Sequence, residues 1–182
     1  MKNIYQEIEL KFRLKNPKTF HKKLKEKKAK FLGKTFERTV RFDTPQGKLE
    51  KEGKFLRVRT GFKRTLTFKR KIEDKEFRAR EEIELEISSP QKMIDILKNL
   101  GLTRILIMEK YREKWQFQKT EIVIDKLPMG NYIEIEGEKD SIKKAIKVLG
   151  LNFKDKITKT YWDLWREFAR KKEIRDKNIV FP

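Results

Sequence analysis

The sequence predicts an α+β protein in which two β-α-β-β-β halves follow one another, with helices covering one side of an antiparallel sheet. Three observations carry this. Strict alternation of apolar and charged residues recurs along the chain in short segments. Pro and Gly stand where those segments end. The order of strand and helix signals restarts at mid-chain, as an internal repeat would.

Residues 4–15 place Ile4, Ile8, Leu10, Phe12 and Leu14 on one face and Glu7, Glu9, Lys11 and Arg13 on the other, the period-two pattern of a strand. Asn16-Pro17 is an N-cap and first-turn signal. Phe20 and Leu24 at helical spacing, among Lys18, Lys22, Lys23, Lys25, Lys27 and Lys28, predict a basic helix ending near Ala29. Strands over 35–43, 54–60 and 63–71 follow, separated by Pro45, Gly47 and Gly53 and then by Gly61.

The second half opens with a strand over 78–87, where Ile83, Leu85 and Ile87 oppose Glu82, Glu84 and Glu86. Ser89-Pro90 starts a helix that Gly101 ends. Strands over 105–117, 121–126 and 131–136 come next, then a helix over 140–149 closed by Gly150. A last helix over 160–172 carries Tyr161, Leu164, Trp165 and Phe168 on one face. Residues 1–170 therefore read as one domain and residues 171–182 as a loose basic tail.

Composition narrows the chemistry. A length of 182 residues suits one domain, and 37% hydrophobic residues with 13 Phe suffice for a core although 42% of the chain is charged. The absence of cysteine excludes disulfides, thiolate nucleophiles and zinc-thiolate sites. The single histidine, His21, reads as a surface residue, and its isolation excludes His-rich metal sites and Ser-His triads. Catalysis would fall to carboxylates, Lys, Arg, Tyr or a metal. No run approaches the roughly 20 apolar residues that cross a bilayer, and residues 1–15 carry no signal-peptide block, so a soluble cytoplasmic protein is expected. The net charge of +20 draws polyanions: nucleic acid, acidic proteins or phosphorylated small molecules.

The charged strand faces admit two arrangements, an antiparallel sheet with one solvated face or a barrel whose charged face lines a lumen. The many amphipathic helices favour the second, because their apolar stripes need the outer sheet surface, and closure removes exposed edges. Glu7 and Glu9 lie about 6–7 Å apart along one strand face, and Glu134 and Glu136 repeat that spacing. Such pairs suit a hard cation, Mg²⁺ or Mn²⁺, which attaches through one or two carboxylates and keeps water and phosphate oxygens. Arg57 and Arg59 offer planar forks to phosphate, while Lys11, Lys69 and Lys110 act as point charges along a phosphate chain.

Glu7-x-Glu9-x-Lys11, Phe42-Asp43-Thr44-Pro45, Leu56-Arg57-Val58-Arg59, Leu66-Thr67-Phe68-Lys69, Arg80-Glu81-Glu82-Ile83-Glu84, Lys110-Tyr111-Arg112 and Asp125, Gly130, Glu134-Ile135-Glu136 follow in one order. That order resembles the CYTH superfamily, triphosphate tunnel metalloenzymes that include class IV adenylyl cyclases, thiamine triphosphatases and inorganic triphosphatases. The resemblance runs from Glu7 to about Tyr161, and its look is closest to the class IV cyclase-like members. It implies a closed eight-stranded antiparallel β-barrel with helices outside. It implies Glu7, Glu9, Glu84, Glu134 and Glu136 as ligands of Mg²⁺ or Mn²⁺, and Lys11, Arg57, Arg59, Lys69, Lys110 and Arg112 as the triphosphate grip. Lys11, Asp125 and Glu136 are the implied catalytic groups, and a monomer or homodimer the implied assembly. Thr39 and Arg41 depart from the pattern, standing where many relatives carry Asp and Tyr.

Two reactions fit, cyclisation of ATP to cyclic AMP and pyrophosphate, or hydrolysis of thiamine triphosphate, a nucleoside triphosphate or tripolyphosphate. A different class remains beside them: a non-catalytic polyphosphate- or nucleic-acid-binding protein, for which the charge, the basic first helix and Trp115 and Trp162 speak. The same lysines also read as a solvated helix face, and Trp115, Trp162 and Trp165 as packing between helices and strands.

Overall fold

The computed structural model describes residues 5–182, so Ile4 of the first apolar face lies outside the described residues. Eight strands form: β1 (Tyr5–Arg13), β2 (Lys30–Asp43), β3 (Lys54–Thr60), β4 (Thr65–Ile72), β5 (Arg78–Glu86), β6 (Thr103–Phe117), β7 (Thr120–Leu127) and β8 (Gly130–Gly137). They close into a barrel in the order β1-β5-β4-β3-β2-β6-β7-β8, and β8 pairs back to β1. Every strand pairing in the ring is antiparallel.

The two halves interlock. In each, the last three strands make a meander, β2-β3-β4 and β6-β7-β8. The first strand of each half joins the other half's meander: β1 lies beside β8, and β5 beside β4. The β1-β5 and β2-β6 pairings then close the ring.

Helices α1 (Pro17–Glu26), α3 (Pro90–Asn99) and α4 (Lys139–Val148) cover the apolar outside, while the first turn of α5 (Tyr161–Lys171) reaches the enclosed space. Phe20 and Leu24 of α1 and Ile142 and Ile146 of α4 pack with Leu10, Phe12, Ile133 and Ile135. Leu97 of α3 packs with Val40, Phe42 and Val58. Trp165 of α5 joins Leu106 and Tyr132. The caps are local: the Asn16 carboxamide accepts the Thr19 N–H at 3.1 Å, and Thr160 and Asp163 form a reciprocal capping box. With the apolar face covered, the charged face turns inward.

Four features differ from the sequence expectations. Strand β2 starts at Lys30 rather than 35, because a register shift between Phe31 and Gly33 breaks the alternation that would reveal it. A short helix, α2 (Lys48–Lys51), fills the Pro45/Gly47 turn, where the Asp43 carboxylate accepts N–H groups of Thr44, Leu49 and Glu50 at 2.7–2.9 Å. His21 is half-buried rather than a free surface residue; its Nε2 lies 2.6 Å from a Glu113 oxygen and its ring tilts against buried Trp115.

The fourth is the tail. Residues 171–182 are not loose: Ile179 is fully buried, its N–H donates to Ile107 O (2.9 Å) and its carbonyl accepts from Glu109 N (2.7 Å). Strand β7 pairs with β6 only from Tyr111 onward, leaving this stretch of β6 a flank that the tail occupies in parallel.

Candidate active site

The barrel encloses a cavity of about 830 Å³. Its wall tolerates so much charge because the signs interlock. Lys69 lies between Glu7 (2.5 Å) and Glu82 (2.9 Å), and Arg78 donates to Glu9 at 2.6 Å. Lys11, only 1% exposed, sits 2.9 Å from Glu134 and over the Tyr161 ring. Arg112 spans Asp125 with two bonds, 2.7 and 2.6 Å, and reaches Glu134 at 2.6 Å. Lys110 bridges Asp125 (3.1 Å) and Glu37 (3.3 Å), and Arg59 donates to Glu84 at 2.8 Å.

Burial raises a carboxyl pKa unless nearby cations outweigh it. At Glu7 the fields of Lys69, Arg57 and Arg78 outweigh burial and lower it. At Glu134 Lys11, Arg112 and Lys110 hold it well below the usual range. Glu37 is held at about 2 against burial by Lys110, Arg112 and Arg59. Glu136 goes the other way: burial, then repulsion from Glu7, Glu9 and Glu121, pushes it up to about 7. Glu136 faces Glu9 directly across the β1-β8 pairing and Glu121 across β7-β8.

The sequence-derived set therefore divides by place. Glu7, Glu9, Arg57, Arg59, Lys69, Glu84, Lys110, Arg112, Glu134 and Glu136 line the cavity. Lys11 is buried just behind its surface. Asp125 is fully buried behind the wall, where its oxygens accept from Arg112, Lys110 and the Tyr161 hydroxyl (2.9 Å). Glu84 is engaged by Arg59 and the Thr67 hydroxyl, away from the Glu9–Glu136 pairing.

Residues not singled out as site residues join them. Arg78 and Arg80 share the parity of Glu82 on β5, and Glu37 shares that of Thr39 on β2, so the two-residue period alone could have found them. Tyr161 enters from the first turn of α5, and nothing in a helix pattern announces a phenol reaching across to Asp125.

A divalent cation fits this donor set. Among the described residues no group of three or more His, Cys, Asp or Glu stands arranged to hold a metal. Mg²⁺ and Mn²⁺ need no such cage, since one or two carboxylates with water and phosphate oxygens suffice. The convergence of Glu7, Glu9, Glu121 and Glu136, which adds to burial in lifting Glu136 to about 7, is a local excess of negative charge that a hard cation relieves.

Fold and site thus define a closed β-tunnel protein with an enclosed lumen of paired carboxylates facing Lys and Arg. The CYTH domain profile matches residues 5–161, and the chain belongs to that family, whose tunnel enzymes act on triphosphates and depend on divalent metal. A Methanocaldococcus jannaschii protein that carries the name putative adenylate cyclase is 28% identical over 170 residues, covering 87% of this chain and 97% of its own. The structure of PH1819 from Pyrococcus horikoshii superposes with a TM-score of 0.74 at 28% identity, over 89% of this chain and 99% of that one. The Hippeastrum protein HpAC1, described as a putative adenylyl cyclase with a dominant triphosphatase activity, shares the fold at 19% identity and a TM-score of 0.68, over 89% and 96% of the two chains. No helix among the described residues is long and apolar enough to cross a membrane.

Proposed function

We propose that this chain is a divalent-metal-dependent enzyme that hydrolyses the terminal phosphoanhydride of a triphosphate. The observation that carries the reading is the juxtaposition, in one enclosed cavity, of the Glu7/Glu9/Glu136 cluster with a wall of Arg57, Arg59, Lys69, Lys110 and Arg112. Glu7 and Glu9 would hold Mg²⁺ or Mn²⁺, which when bound neutralises phosphate oxygens and polarises the scissile group. The cationic side chains grip the chain of phosphates and stabilise charge on the leaving diphosphate.

A new bond forms between water oxygen and the terminal phosphorus while the bridging P–O bond breaks, giving orthophosphate and diphosphate. Glu136, which lines the cavity across the strand pairing from Glu9, accepts the proton that the water gives up. Lys11 and Asp125 act as positioning residues: Lys11 fixes Glu134, and Asp125 sets the forks of Arg112 and the ammonium of Lys110. Glu84 holds Arg59.

Phosphate release from ATP, thiamine triphosphate and tripolyphosphate, with and without Mg²⁺ or Mn²⁺, tests the reading. Glu9→Gln should abolish turnover. Glu136→Gln should lower kcat. Turnover of none of the three substrates would overturn it. A second reading, cyclisation of ATP, is favoured by the apolar strip of Leu106, Met108 and Trp162 in the same cavity, a surface that suits a base. Cyclic AMP and pyrophosphate among the products would establish it. A nucleic-acid-binding role instead requires salt-sensitive affinity that survives Glu9→Gln.

A further inference from the structure

Three guanidinium groups in the tunnel fall outside the pairs described above: Arg41 on β2, Arg57 on β3 and Arg80 on β5. The Nε of each is buried and has no hydrogen-bond partner. Arg41 as a whole is only 7% exposed. Buried donors of this kind are normally satisfied, and leaving one unmade costs more than making it gains.

Arg41 and Arg57 lie side by side, and Arg80 lines the same cavity from β5, beyond β4. Arg41 and Arg57 are direct cross-strand partners, a like-charge pairing that destabilises a sheet. Their guanidiniums flank one ring, at 4.8 Å and 5.9 Å from the centre of Phe55. Arg80 is pushed down to about 10 by burial and then by Arg78, with Glu7 and Glu9 opposing and Arg41 adding a smaller push in the same direction. Burial and then Arg59 lower Arg57, although Glu37, Glu82 and Glu7 oppose them. The nearest carboxylate to Arg41 is that of Glu50, 3.7 Å away on a side chain more than half exposed.

Elsewhere in the lumen the chain supplies its own counterions. Lys69, Lys110 and Arg112 each contact two acidic side chains. Among the described residues no carboxylate comes within hydrogen-bond distance of Arg41, Arg57 or Arg80: Glu50 stands 3.7 Å from Arg41, and Glu7, Glu9, Glu37 and Glu82 act on the other two through their field alone, which leaves direct contacts for a ligand to make. A compact anion suits the place better than a base, because Arg41 and Arg57 already crowd the Phe55 ring.

We propose that Arg41, Arg57 and Arg80 form a further phosphoryl subsite, so that the preferred ligand is a linear inorganic polyphosphate of four or more phosphates rather than a triphosphate. The proposal rests on the hydrolytic reading above and names its substrate class. Arg41 is the specificity-determining member, since Arg57 also belongs to the triphosphate grip.

Calorimetric titration of the full chain with tripolyphosphate, tetrapolyphosphate and ATP, in Mg²⁺ at fixed ionic strength, tests it. The wild type should bind tetrapolyphosphate about tenfold more tightly than tripolyphosphate, one additional charged contact's worth of affinity. Arg41→Gln should remove that preference and change the affinity for tripolyphosphate and ATP by less than about threefold. Arg41→Lys, which keeps the charge without the fork, should retain part of it and decides the matter if Arg41→Gln does not fold. Equal affinity of the wild type for the two chains, or an equal loss for both in the Arg41 variants, would overturn the subsite alone. Failure of the wild type to bind any of the three ligands would overturn the underlying triphosphate reading with it.

Discussion

Asp125→Asn removes the one charge around which the deep end of the tunnel is organised. The carboxylate is fully buried and accepts four hydrogen bonds: two from Arg112, at 2.7 and 2.6 Å, one from Lys110 at 3.1 Å and one from Tyr161 at 2.9 Å. An amide of the same shape keeps one acceptor oxygen, turns a donor toward two cations, and leaves them short of a counterion. Removing one partner of a buried ion pair costs about 3–5 kcal/mol. For a chain of this size each kcal/mol lowers Tm by roughly 2–4 °C, so a drop of about 6–20 °C is expected.

Urea unfolding followed by Trp fluorescence, with thermal circular dichroism beside it, reads both quantities. Tyr161→Phe calibrates the result, because it deletes only the phenolic donor and should cost about 1–2 kcal/mol. Tripolyphosphate should stabilise Asp125→Asn more than the wild type, since the added anion lies against the cations that lost their partner. An Asp125→Asn variant within about 1 kcal/mol of the wild type, or less destabilised than Tyr161→Phe, would refute the reasoning.

Three further outcomes are expected. Glu37 is held at about 2, below its ordinary 4.5, so its ion pairing is fully present above that value and is lost as pH falls from 4.5 toward 2. Glu37→Gln should flatten the acid limb of the stability curve in that window and cost about 2–3 kcal/mol at neutral pH; an unchanged slope of urea midpoint against pH would count against the pairing. Ile179→Ala should cost about 2–4 kcal/mol in the same unfolding assay, where a loose tail would register nothing. Thr160→Ala breaks the capping box of α5 and should cost about 1 kcal/mol, with a larger loss of phosphate-release activity if the helix start also orders Tyr161.

Much of this architecture is legible in the strand alternation, and the places where it is not have physical reasons. On β1 the faces are clean, because Leu10 and Phe12 meet helices while Glu7 and Glu9 meet the lumen. Closure of the barrel is not a local property: periodicity says which side of a strand is charged, but the β1-β8 pairing joins segments separated by more than a hundred residues. The start of β2 was hidden by one extra residue in the pairing at Phe31/Gly33.

The division of labour within the site was hidden for a different reason. Asp125 and Glu134 sit on strands of similar alternation, yet one is sealed behind the wall and the other faces the cavity. Arg112 bonds both, and it is the Lys110 ammonium and the Tyr161 hydroxyl that close over Asp125. The tail has the composition of a solvated segment, yet buried Ile179, with contacts from Asp176, Asn178 and Phe181, docks it.

The exchange of first strands between the halves sets the order in which the molecule can be completed. Strand β1 emerges first in synthesis, yet its second neighbour, β8, is made only after residue 130. Until then the segment with Glu7, Glu9 and Lys11 has at most β5 beside it, one edge open and its carboxylates in water. Pairings so distant along the chain make ring closure slow, and an open edge during that interval invites contact with other chains. Neither half by itself encloses a lumen, so affinity for phosphate chains should arise all at once, in the step that joins β8 to β1.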